Sequence, residues 1–174
     1  MGSVKGVNET IRELRLFGDK AVKAINAETE DAANDIASNA KKLAPENFGK
    51  LQQSISVAQE IKSKGEVWGV FVNEKYGAYM EFGTGKKFNA PAEFQQMAAE
   101  FKGKKTGTFA EGLESIKAWC RAKGIDEKDA KWIFLKILGA GINPQPFLYP
   151  AYIQGKKNYL DNLNRLIKSF NKKI

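Results

Sequence analysis

Histidine is absent from the 174-residue chain, and cysteine occurs once. The first absence removes the commonest general base and the commonest metal ligand. Ser-His-Asp and Cys-His chemistry are excluded with it, and a Cys/His zinc site cannot be assembled. A lone cysteine forms no internal disulfide. Cys120 shares a helical stripe with Ile116 and Trp119 and reads as a small buried hydrophobe. No apolar run approaches the roughly 20 residues that cross a bilayer, so no membrane segment is expected. The start lacks the basic stretch, apolar run and small-residue cleavage site of a secretory signal, and none is expected. An enzyme built from this sequence would depend on carboxylates, lysine or tyrosine. There is neither a carboxylate pair in a suggestive setting nor a phosphate-cradling glycine loop, so the expectation is no catalytic site, no metal and no cofactor.

What is present suffices for a core. Apolar residues make up 43% of the chain and aromatics 11%, which fits one domain or one domain with an insertion. The net charge of +8 is unevenly placed. Residues 1–85 carry 11 basic and 12 acidic side chains, and residues 86–174 carry 17 and 8. A basic second half suits nucleic acid or an acidic protein neighbour.

Periodicity predicts a helix from about Asn8 to Leu43, with Ile11, Leu14, Ala21, Val22, Ile25, Ala32, Ile36, Ala40 and Leu43 on its apolar side. Ala44-Pro45 stops it. A hairpin follows: Ile55, Val57 and Ile61 alternate with polar residues, Ser63-Lys64-Gly65 turns, and Val67 to Val72 returns. The return strand is apolar on both faces and is expected to be central. Between residues 86 and 142 lie three short apolar stripes at helical spacing, around Phe94–Phe101, Phe109–Cys120 and Ala130–Leu138. The run Asn143-Pro144-Gln145-Pro146-Phe147-Leu148-Tyr149-Pro150-Ala151 is expected to be an extended connector, because its prolines oppose regular helix. A last amphipathic helix places Leu160, Leu163, Leu166, Ile167 and Phe170 inward. The fold expected is α+β: a long N-terminal helix packed on a small antiparallel sheet and closed by a C-terminal helix. Residues 1–85 and 143–174 form this core, and residues 86–142 form a helical insertion lobe.

Three motifs stand in order. The first runs from Pro45 through Gly49 and Leu51 to Ser54 and Ile55. The second is Tyr76-Gly77-Ala78-Tyr79-Met80-Glu81-Phe82-Gly83-Thr84. The third is Pro146-Phe147-Leu148-Tyr149-Pro150-Ala151. Together they resemble the tail-completion, or head–tail joining, family of long-tailed bacteriophages and prophages. There a long helix meets a proline, a glycine and a Leu-x-x-Ser-Ile strand, a Tyr-Ala-x-Tyr-x-Glu-Phe-Gly-Thr segment follows, and a Pro-Phe-Leu-x-Pro-Ala turn opens the last helix. The chain departs from that pattern at Gly77-Ala78 and in the 57-residue stretch 86–142 that lies between its second and third motifs, where the family has a shorter link. The resemblance implies a non-enzymatic virion subunit, assembled in the bacterial host cytoplasm. It would form a homo-oligomeric ring, with a hexamer favoured, beside neck or connector and tail-tube proteins.

Several side chains keep two readings. Glu81, between Met80 and Phe82, is either an intersubunit ion-pair partner or a locally capped carboxylate. Phe147 and Leu148 either anchor an interface or plug the subunit's own core, and the plug is favoured. Lys102, Lys104, Lys105, Lys156 and Lys157 are candidates for contact with a partner or, independently of sequence, with DNA. The helices flanking Gly124-Ile125 have the spacing of a helix-turn-helix reader, but the second is too apolar to present many side chains to base edges. A basic nucleic-acid-binding module is the alternative function, and a carboxylate-dependent enzyme acting on peptidoglycan or nucleic acid is a third.

Overall fold

The structure, a computed structural model, describes residues 7–46, 49–62, 65–74, 76–101 and 107–171. It is α+β. Helix α1 (Val7–Leu43) leads through the short α2 (Lys50–Ser54) into a hairpin of β1 (Ile55–Lys62) and β2 (Gly65–Val72). Next come α3 (Gly77–Phe82), α4 (Gln95–Ala99), α5 (Phe109–Lys123), α6 (Ala130–Ala140) and α7 (Leu148–Asn171). The predicted turn at Ser63-Lys64 lies outside the described residues.

Helix α1 runs unbroken through Gly18 for 37 residues, about 55 Å at the usual rise of about 1.5 Å per residue. Of the predicted stripe Ala40 is buried and Ile36 packs on the core, but Ile11, Leu14, Val22 and Leu43 are exposed, and Ala33, Ala37 and, just past the helix end, Ala44 are buried instead. Small side chains let the hairpin and α7 approach the helix closely, so alanine fills the core-facing stripe. Around Ala37, Ala40 and Ala44 gather Leu51, Ile55, Phe147 and Ala151, with Val57, Val70, Val72 and Met80 packed beside them.

The hairpin is antiparallel, with Ile55 opposite Val72 and Lys62 opposite Gly65. Among the described residues it is a two-stranded sheet, so β2 is not the central strand its composition suggests. Val70 and Val72 face the core, whereas Val67 and Phe71 on the other face are exposed. Phe71 folds back over Gly69, where an added Cβ would lie 2.7 Å from its ring; the glycine makes room for that ring.

Helix α7 returns alongside α1. Gly155 meets Ile36, the Thr29 hydroxyl shares a 3.1 Å hydrogen bond with Tyr159, and Phe17 meets Phe170 edge-on with centroids 5.6 Å apart. The inward residues of α7 are therefore Ala151, Gly155 and, half-buried, Leu163, Leu166 and Phe170, while Leu160 and Ile167 are exposed. A Cβ at Gly155 would lie 2.2 Å from Ile36 Cγ1. Gly155→Leu should therefore wedge the two helices apart and destabilise the subunit by about 1–3 kcal/mol, read as a lowered urea midpoint with an unchanged m-value.

Helices α5 and α6 pack on each other. Thr108 and Glu111 form a capping box at the start of α5, Gly124 ends it in the left-handed conformation at φ 69°, and Phe109 stacks edge-on with Phe134 at 5.0 Å. Cys120 is buried in this pair.

Candidate functional site

The second and third motifs meet. Their junction is built on α3, a helix of under two turns ended by Gly83 at φ 72°. A Cβ on Gly83 would lie within 3 Å of the Ile142 carbonyl, the Lys87 carbonyl and Pro144 Cδ, so this glycine serves both the turn and the close approach of the returning chain. Backbone bonds fix that return. Thr84 N–H donates to the Ile142 carbonyl, and Gln145 N–H donates to the Met80 carbonyl at 2.7 Å. Ile142 N–H donates to the Thr84 hydroxyl at 2.8 Å. The third motif is thereby laid across α3.

At the centre is Glu81, 6% exposed. Its carboxylate accepts three backbone N–H donors: Phe147 and Leu148 on Oε2 at 2.8 and 2.9 Å, and Tyr149 on Oε1 at 2.9 Å. These residues open α7, whose first helical residue is Leu148. A helix leaves four N–H groups without an internal partner at its start. Here Glu81 takes three, and the fourth position is Pro150, which has no N–H. The motif thus leaves no donor unsatisfied, and the carboxylate also meets the positive end of the helix dipole. Pro150 sits in the first turn, where a proline is accommodated, so the extended connector expected through Ala151 ends four residues earlier, at Phe147. Of the two readings of Glu81, the capped carboxylate describes the contacts within the subunit, although its partners lie 66 to 68 residues away rather than nearby.

Phe147 is 1% exposed and belongs to the core cluster with Ala151, as a plug would be. Leu148 is half-buried against the same cluster, and Pro146 is exposed. Phe82 is buried and meets Phe88 with centroids 6.4 Å apart. Tyr76 packs against the core, and burial, reinforced by Glu74, raises its phenol above the ordinary tyrosine value. Tyr79 is half-buried, and its carbonyl accepts from Gly83 N–H. The departure at Gly77 has a packing reason, because a Cβ there would lie 2.6 Å from Val72 Cγ1.

The first motif forms the floor of the core. Pro45 is half-buried after the helix stop, Gly49 precedes α2 at φ 68°, and Leu51 and Ile55 are buried. Ser54 Oγ donates to the Leu51 carbonyl at 2.7 Å. Among the lysines, Lys156 lies over the Tyr152 ring at 5.6 Å and Lys157 is exposed on α7, whereas Lys102, Lys104 and Lys105 lie outside the described residues. Phe94, read from the sequence only as part of the insertion's first apolar stripe, has its ring edge-on to Tyr149 and Tyr152 at 5.4 and 5.8 Å. It ties the segment after the second motif to the start of α7.

The geometry gathers structural side chains rather than reacting groups, and among the described residues no helix is long and apolar enough to cross a membrane. A long helix, a hairpin and a glycine-ended α3 clasped to a returning helix form the frame that joins the three motifs. Residues 8–83 match the family described as "Bacteriophage HK97-gp10, putative tail-component", and over this stretch the chain is similar to that family. The match runs from the start of α1 to the glycine that ends α3. No curated protein and no solved structure matches the chain significantly.

Proposed function

We propose that the protein is a non-enzymatic subunit of a ring at the head–tail junction, completing the tail or joining it to the neck. The observation that carries this reading is α1. It lies within the family match, and its first three turns reach past Phe17, where α7 makes its last described aromatic contact. There Ile11, Leu14 and Leu16 are exposed, Leu14 at 64%. Exposed apolar residues on a helix that extends past its described contacts with α7 suit burial against a neighbour. The neighbours proposed are further copies of the chain, as a ring with a hexamer favoured, together with neck or connector and tail-tube proteins, assembled in the host cytoplasm. Disrupting the gene should leave filled heads and finished tails unjoined in electron micrographs of lysates, and the intact gene supplied separately should restore whole particles. Whole particles without the gene would refute the role.

We also propose that the insertion is a lobe outside the common core and that it contacts a neighbour in the particle. Its α5 and α6 bury each other, while Phe88 and Phe94 near its start reach the core. Replacing residues 95–140 with a short Gly/Ser linker keeps those two phenylalanines. The expected product is a folded, soluble subunit by circular dichroism that fails to yield joined particles. A variant that does not fold would put the lobe in the core, and one that completes particles would remove its docking role.

A further inference from the structure

Helix α6 has two apolar faces. One is accounted for: Ala130 and Phe134 are buried, with Phe134 seated over Gly112 of α5. The other carries Trp132, Leu135 and Leu138 at three-residue steps, with Trp132 73% exposed and Leu138 59%. Lys131 and Lys136 flank this ridge. The ion pairs among the described residues are Lys117–Glu114, Arg121–Glu127 and Lys128–Asp126, so neither flanking lysine has an acidic partner there. Around Gly139, at the end of the ridge, lies open space. A tryptophan and two leucines in a row, bordered by unpaired cations, have the composition of an interface centre.

The complement is on the same chain. Between α1 and α7 lies a groove of about 370 Å³ whose lining is mostly polar, with Asn34, Asn158 and Asn162 beside the small Ala32 and the buried Gly155. Tyr159 lines it too, and Asp31, Asp35 and Glu28 give it negative charge. Asp31 and Asp35 stand one turn apart on α1 and make no ion pair among the described residues. Like charges at this spacing repel, and a cation from outside would relieve both.

We propose that the α6 ridge of one copy docks in the α1–α7 groove of the next. Trp132 enters beside Tyr159 and Ala32, its indole N–H donates to a carboxylate of the rim, and Lys131 and Lys136 meet Asp31 and Asp35. Two different surfaces are joined, so every copy offers one and receives the other. Such a head-to-tail contact closes into a ring when its rotation permits. The inference rests on the self-assembly proposed above and adds to it a specific interface, of which only the α1 wall of the groove lies within the family match.

The test uses purified full-length chains in sedimentation velocity. The unaltered protein should associate, less so at high salt. Trp132→Ala should weaken association about thirtyfold with an unchanged melting temperature. A chain carrying Lys131→Glu and Lys136→Glu should stay monomeric, as should one carrying Asp31→Lys and Asp35→Lys. Their equimolar mixture should assemble, because the altered surface of each then matches the altered surface of the other and the unaltered pair also fits. A mixture that stays monomeric overturns the proposal. So does either doubly substituted chain assembling alone as well as the unaltered one, or an unaltered chain that stays monomeric at its solubility limit. Failure here leaves the junction role to be judged by gene disruption, which does not depend on which surfaces meet.

Discussion

Glu81→Ala is expected to destabilise the isolated subunit by about 3–5 kcal/mol, since hydrogen bonds to a charged group contribute about 1.5–3 kcal/mol each and are not fully additive. The loss falls on three N–H groups at the start of α7, at a site with little access to replacement water. Against the roughly 5–15 kcal/mol that holds a typical domain together, this is enough to leave the variant partly unfolded at 37 °C. Glu81→Gln should fall between: its one carbonyl oxygen can keep a donor, but its amide brings two more donors to a place already full of them. Urea unfolding followed by circular dichroism reads both. If Glu81→Ala melts like the unaltered protein and only particle assembly is lost, the residue serves a neighbour instead of its own α7.

Phe147→Ala is expected to cost a further about 3–5 kcal/mol as an independent change, the range for removing a large aromatic from a packed core. Phe147 is among the largest fully buried side chains, together with Leu51, Ile55 and Cys120. It sits where the returning chain reaches the Ala37–Ala40–Ala44 stripe, so its removal opens a cavity at the only point where hairpin, α1 and α7 share a core cluster among the described residues. Glu81 accepts from Phe147's own N–H, so the two sites are coupled. A double variant should therefore lose less than the sum of the single losses. Thermal melting of the isolated subunit checks the single change: a clear fall supports the plug, and an unchanged melting temperature with lost assembly makes Phe147 an interface anchor.

The order of the elements was legible because long helices and hairpins announce themselves by period. What faces what was less so. On α1, Ile11, Leu14 and Val22 dominate a hydrophobic pattern, yet burial goes to Ala33, Ala37 and Ala40, and to Ala44 just past its end. Closeness of approach, which a pattern weighted by side-chain size does not record, decides that face. On β2 the apolar outer positions Val67 and Phe71 suggested a buried strand, but a two-stranded hairpin has one face left over. Pro150 suggested extended chain because proline is excluded from helix interiors, and the exemption of the first turn applies here. The partners of Glu81 could not be read locally, since a carboxylate and a helix start 66 residues apart share no spacing rule. The available signals were an acid set between apolar neighbours, and a proline where a helix would otherwise present its fourth free N–H. The lobe's exposed tryptophan likewise becomes visible only when α5 is seen to take the other face of α6.

The measurement that bears most directly on the junction role is a cryo-electron microscopy reconstruction of the neck of assembled particles. The account predicts a ring of identical copies of this chain between head and tail tube, each contributing the long α1 with α7 returning along it. A neck layer built from another polypeptide, with this chain absent from the particle, would contradict it.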